Sequence, residues 1–148
     1  MKFEAAETIG RPAAEIWAYA ADIPCHTEWM TVSDAVVTSG SGERAGARGR
    51  ETMNLGPMKI TADLEVAEAE PGRRLRWRTL PGAPMDIDVM LDLSPDGMGA
   101  TRATYRSTVH LRGLWRLAAP LIAMEGREGV KRELRRLKQR VEAAGAAA

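Results

Sequence analysis

Apolar and polar residues alternate from Met58 to Val66, with Met58, Ile60, Ala62, Leu64 and Val66 on one face and Lys59, Thr61, Asp63 and Glu65 on the other. A period of two describes a half-buried strand. The pattern repeats with Leu75, Trp77 and Thr79 against Arg74, Arg76 and Arg78, and the Glu70-Pro71-Gly72-Arg73 turn between the runs makes a hairpin. A third run places Met85, Ile87, Val89, Leu91 and Leu93 inward and Asp86, Asp88 and Asp92 outward. Arginines on one outer face and aspartates on the next pair across the strands if these are antiparallel neighbours. After the Ser94-Pro95-Asp96-Gly97 turn, Thr101 to Leu111 reads as a last strand with Thr101, Ala103, Tyr105, Ser107, Val109 and Leu111 on one side. Val32 to Thr38 and Ala47 to Met53 are weaker strands, separated by the Ser39-Gly40-Ser41-Gly42 loop.

Beyond Gly113 the period becomes that of a helix. Leu114, Leu117, Ala118, Leu121 and Ile122, then Val130, Leu134, Leu137 and Val141, fall on one stripe. Pro120, Gly126 and Gly129 interrupt it, which predicts a kink, or a short first helix and a longer one starting near Pro120. The exposed face carries Glu128, Lys131, Arg132, Glu133, Arg135, Arg136, Lys138 and Arg140, a solvated surface laced with ion pairs. At the other end a strand closes at Ile9, Pro12 begins a helix that turns Ile16 and Trp17 inward, and Asp22 caps a second short helix. Trp29-Met30 leads back into sheet. The order is strand, two short helices, six strands and a long helix, an α+β arrangement best buried as a curved antiparallel sheet around one amphipathic helix.

Composition narrows the functional classes. The 148 residues, 45% of them hydrophobic, suit one domain spanning 1–148, with the alanine-rich segment 143–148 expected to fray. Twenty-one basic against 20 acidic residues leave a charge of +1, which removes the main electrostatic argument for a nucleic-acid partner. No run approaches the ~20 apolar residues of a membrane span, so a soluble, cytoplasmic protein is expected, a monomer or homodimer without integral membrane association. The single cysteine, Cys25, excludes an internal disulfide. Cys25 and His26 are adjacent in sequence and read as structural rather than as a nucleophile and base. Two distant histidines and no ligand spacing give no metal site, and no phosphate-binding loop or cofactor motif is present.

The segments Pro12 to Trp17 and Asp22 to Met30, the Glu70-Pro71-Gly72-Arg73-Arg74-Leu75 turn into Trp77, Gly99-Ala100-Thr101-Arg102, and Leu134-Arg135-Arg136-Leu137-Lys138 together resemble the polyketide cyclase/dehydrase and lipid-transport group of the START-like, or SRPBCC, superfamily. The resemblance runs over nearly the whole chain. It implies a helix-grip fold, seven antiparallel strands around the C-terminal helix with two short helices between the first two strands. It also implies a cavity for a hydrophobic ligand such as a lipid, quinone or polyketide. Members include carriers as well as cyclases and aromatases, so the residues facing the cavity must decide the function.

From the inward faces, the expected ligand-binding lining is Met53, Met58, Leu64, Trp77, Met85, Ile87, Val89, Tyr105, Leu117, Leu121, Ile122 and Met124, with Trp115 at the mouth. Flexible methionine thioethers suit a wall that accepts several ligand shapes. Three polar residues are candidates for catalysis. Tyr105 lies mid-strand on the inward side, Glu51 shares parity with Met53 unless a bulge intervenes, and Glu125 falls close to the apolar stripe of the long helix. The resemblance implies that Trp17 and Trp29 anchor the short helices against the sheet rather than contact a ligand. The first functional reading is a carrier or sensor of a hydrophobic small molecule; the alternative is a polyketide cyclase or dehydrase in which Tyr105 and Glu51 or Glu125 catalyse enolisation and dehydration.

Overall fold

A computed structural model of the chain describes residues 1–146. The expected α+β architecture is what the chain builds. Strand β1 (Lys2–Ile9) leads into α1 (Ala13–Ala21), a 3-10 turn (Ile23–Cys25) and the four-residue α2 (His26–Trp29). Six strands follow: β2 (Val32–Ser39), β3 (Arg48–Leu55), β4 (Met58–Glu70), β5 (Arg74–Thr79), β6 (Met85–Pro95) and β7 (Thr101–Leu111). A second 3-10 turn (Gly113–Ala118) introduces α3 (Ala119–Ala146), 28 residues long. All pairs are antiparallel, in the order β1-β7-β6-β5-β4-β3-β2, so the first strand closes against the last and β1 and β2 form the edges.

The charge ladder fixes the register in the middle of this sheet. Leu75 lies opposite Leu91 and Trp77 opposite Val89, while on the outer face Arg74 pairs with Asp92 at 2.6 Å and Arg76 with Asp88 at 2.7 Å. Arg78 finds Glu65 on β4 instead, at 3.3 Å. β4 runs to Glu70, beyond the alternation that ended at Val66, because a register shift between Val66 and Glu68 resets the parity while keeping the ladder to β5.

The long helix lies against β1, β7, α1 and α2. Ile122, Val130, Leu134, Leu137 and Val141 are its buried stripe, and each such side chain contributes roughly 1.5–3 kcal/mol on burial. The break near Pro120 takes the form of a separate 3-10 turn, and this corrects the sequence reading of its first residues. In a 3-10 turn positions i and i+3 eclipse. Leu114 and Leu117 therefore share one line, which faces solvent at 85% and 82% exposure. Helix α3 also continues through Ala146, past the expected fraying point; residues 147 and 148 of that tail lie outside the described residues. Asp22 stands before the short helices without capping a backbone amide through its side chain, which accepts from the Cys25 thiol at 3.2 Å instead. Among the described residues no helix is long and apolar enough to cross a membrane.

Candidate functional site

Between the inner face of the sheet and α3 lies a cavity of about 190 Å3. Alternation along β3 to β7 supplies most of its wall, since every second residue of a strand points to the same face. Met53, Leu64, Trp77, Met85, Ile87, Val89, Tyr105 and Ile122 line it, as do Glu51 and Glu125. Five residues expected in the lining are elsewhere. Met58 sits at the β3–β4 turn and is 38% exposed, and Leu117 faces solvent on the 3-10 turn. Met124 is 60% exposed on the outer side of α3, while Leu121 and Trp115 are half-buried outside the lining, Trp115 packing against the core.

The three candidate catalytic residues have different surroundings. Glu51 is buried. Its strand pairs with β4 in unbroken register, Glu51 opposite Ala62 and Met53 opposite Ile60, so no bulge intervenes there to exchange the inward and outward sets. Glu125 is exposed and forms part of the rim with Asn54 and Arg78. Tyr105 is buried, and its hydroxyl donates to Glu133 Oε2 at 2.8 Å. Burial, and then the neighbouring Glu133 charge, push that hydroxyl well above the usual tyrosine range.

Two further residues stand out in the polar part of the cavity. His26, on α2, is 1% exposed, with Nε2 at 2.9 Å from the Ala20 carbonyl and Nδ1 at 2.5 Å from Glu51 Oε1. Trp29 and Trp77 meet its ring edge-on, at centroid distances of 5.7 and 5.1 Å. A four-residue helix offers no period from which to read the direction of a side chain. Cys25 turns to Asp22, and burial followed by that carboxylate pushes its thiol up to about 12. Glu133, assigned to the solvated face of the helix, instead lines the cavity and joins two layers. Its Oε2 accepts from Tyr105 and its Oε1 from the Thr31 backbone amide at 2.8 Å. A signal for it existed: Gly126, Gly129, Val130, Glu133 and Leu137 follow the 3, 4, 7, 11 spacing of one helical face.

The cavity thus has an apolar wall and a polar sector in which His26, Glu51, Tyr105 and Glu133 lie near one another and Ser107 and Arg132 also line the wall, able to exchange hydrogen bonds or a proton with a bound molecule. Among the described residues no group of three or more His, Cys, Asp or Glu side chains is arranged to hold a metal ion.

Comparison with solved structures gives the same architecture across very different sequences. A protein of Thermus thermophilus superposes with a TM-score of 0.82 at 21% identity, over 97% of this chain and 99% of that one. A START superfamily protein from Mycobacterium smegmatis matches with a TM-score of 0.75 at 13% identity, covering 97% and 98% of the two chains. The Zhui aromatase/cyclase of a Streptomyces species matches with a TM-score of 0.67 at 15% identity, covering 97% and 90%. These likenesses establish the fold. No curated protein matches the chain in sequence. Residues 1–142 match the family described as polyketide cyclase / dehydrase and lipid transport, and the chain belongs to that family.

Proposed function

We propose that this protein binds a small hydrophobic molecule in the cavity between the sheet and α3, as a carrier or sensor. The observation that supports the reading most is a largely apolar cavity of about 190 Å3 at the centre of the fold, walled by Leu64, Met85, Val89 and Ile122. Drug-sized ligands usually occupy ~300–1,000 Å3. A molecule of one or two rings, or a short chain, suits the smaller space. Met53 and Met85 give the wall some adaptability, and the exposed rim residues Asn54, Arg78 and Glu125 are read as the mouth. Native mass spectrometry of wild type and Val89→Trp tests the reading. A co-purified small molecule that is lost on denaturation and absent from the variant supports it; an identical bound mass in both contradicts it.

A second reading, a cyclase or dehydrase, is favoured by one observation: the buried Glu51 carboxyl faces the cavity with His26 behind it. In this reading Glu51 takes a proton from carbon beside a ligand carbonyl, and Tyr105 helps to orient the ligand. Turnover of a short β-keto substrate that falls at least about 100-fold in Glu51→Gln, with binding retained, would select the enzyme. Turnover unchanged in that variant would remove Glu51 as the base.

A further inference from the structure

We infer that the ligand at the polar sector of this cavity is a hydrogen-bond donor, a compact hydrophobic molecule bearing a hydroxyl, phenol or enol group, received by Glu51 Oε2. The inference rests on the proposal that the cavity binds a small hydrophobic molecule, and deepens it. It begins at Ala20. A backbone carbonyl can only accept, and this one lies 2.9 Å from His26 Nε2, so that nitrogen carries a proton. On the other side of the ring, Nδ1 and Glu51 Oε1 are 2.5 Å apart. Two facing lone pairs would repel at that distance, so one proton lies between them, held by the imidazole or by the carboxyl. In the first case Glu51 is a carboxylate. In the second it is a neutral acid whose hydroxyl is Oε1. Oε2 is an acceptor in both.

Among the described residues Oε2 has no hydrogen-bond partner, and it is not among the buried polar atoms closed off from solvent. Of the other buried polar side chains lining the cavity, His26 has both nitrogens engaged, Tyr105 has already donated its proton to Glu133, and the Trp77 indole N–H has no partner but is closed off from solvent. What remains on the Tyr105 oxygen is accepting capacity. Among His26, Glu51 and Tyr105, then, only accepting capacity is left for a ligand, while half-buried Ser107 and Arg132 on the same cavity wall carry hydrogen-bond donors. A ligand whose only polar atoms are carbonyl or ether oxygens leaves Glu51 Oε2 unanswered and desolvated, whereas a hydroxyl satisfies it.

The test compares 2-naphthol with 2-methoxynaphthalene, two-ring probes that differ in the hydrogen available for donation, by calorimetric titration of the intact protein. Wild type should bind the naphthol at least about tenfold tighter. In Glu51→Leu the preference should shrink to within about twofold, while Glu51→Gln, which keeps an oxygen for the ligand and an amide N–H for His26 Nδ1, should retain most of it. Carbon-13 labelling of the glutamate carboxyls adds a readout that needs no variant: the Glu51 signal should move with the naphthol and stay in place with the ether. Equal affinity in wild type, a preference that survives Glu51→Leu, or an unmoved Glu51 signal overturns the inference while leaving cavity binding intact. Failure of both probes and of naphthalene itself to bind overturns the cavity proposal and this inference together.

Discussion

His26 Nδ1 lies 2.5 Å from Glu51 Oε1, and this contact joins a short helix to the middle of strand β3, 25 residues further along the chain. It takes a buried imidazole and a buried carboxyl that would each be costly alone and satisfies one with the other, beside an apolar cavity. Removing either partner strands the other. Glu51→Ala and His26→Ala should each cost about 2–4 kcal/mol in chemical denaturation, and the double variant should cost less than their sum, with a coupling of about 1–3 kcal/mol. Simple additivity would mean that the two side chains do not depend on each other.

Tyr105 and the half-buried Glu133 form a second polar contact at the cavity, and Tyr105→Phe should cost about 1–2 kcal/mol by leaving Glu133 Oε2 without its donor. The pH dependence has a definite sign. Burial and the Glu133 charge keep Tyr105 protonated in the folded protein well beyond the ordinary value of 10.0, at which the unfolded chain loses its proton. The stability from this group is fully present below pH 10 and is lost as the pH rises above it. Unfolding free energies measured from about pH 9 to about pH 11 should fall less steeply in Tyr105→Phe than in wild type. Tyr19, held protonated by burial and by Glu28, leaves a residual slope in the variant. Parallel slopes would show that Tyr105 ionises in the folded and unfolded states alike.

Two glycines of α3 should respond oppositely to alanine. A Cβ at Gly126 would come within 2.5 Å of the Phe3 ring, a side chain that also lines the cavity. Gly126→Ala should therefore destabilise the protein by about 1–2 kcal/mol despite the better helix former. At Gly129 the nearest atom is Arg132 Nη2 at 3.8 Å, so Gly129→Ala should gain up to about 1 kcal/mol. Thermal unfolding of the pair separates the two, and a gain at both positions would contradict the close approach of β1 to α3.

The Cys25 thiol, pushed up to about 12 by burial and Asp22, should be nearly unreactive at neutral pH. Iodoacetamide should modify the folded protein at least about 100-fold more slowly than the denatured chain. Equal rates would place the thiol in a different environment from the one described.

The sheet was largely legible because strand alternation records inward and outward directions residue by residue. That the outer-face arginines of β5 meet the aspartates of β6 follows from the charge pattern, whereas the individual pairs, Arg74 with Asp92 and Arg76 with Asp88, do not. Glu51 and Met53 were legible together for the same reason, as alternate residues of one strand. The start of the last helix was not. Leu114 and Leu117 fit a helical stripe in sequence, but the chain takes a 3-10 turn there, and three residues per turn leave both facing solvent. His26 was hidden for another reason: its partners, Ala20, Glu51 and the two tryptophans, are brought to it by tertiary packing that no local pattern encodes. Glu133 was hidden by its chemistry. A carboxylate among arginines and lysines reads as surface, and only the Tyr105 hydroxyl and the Thr31 amide make its inward position favourable.

The most direct test of the central claim is methyl NMR of the labelled protein titrated with naphthalene. Saturable shifts at Leu64, Ile87, Val89 and Ile122, lost in Val89→Trp, are the predicted result. Shifts confined to the exposed Leu114 and Leu117, or cavity methyls unmoved at saturation, would contradict a ligand site between the sheet and the long helix.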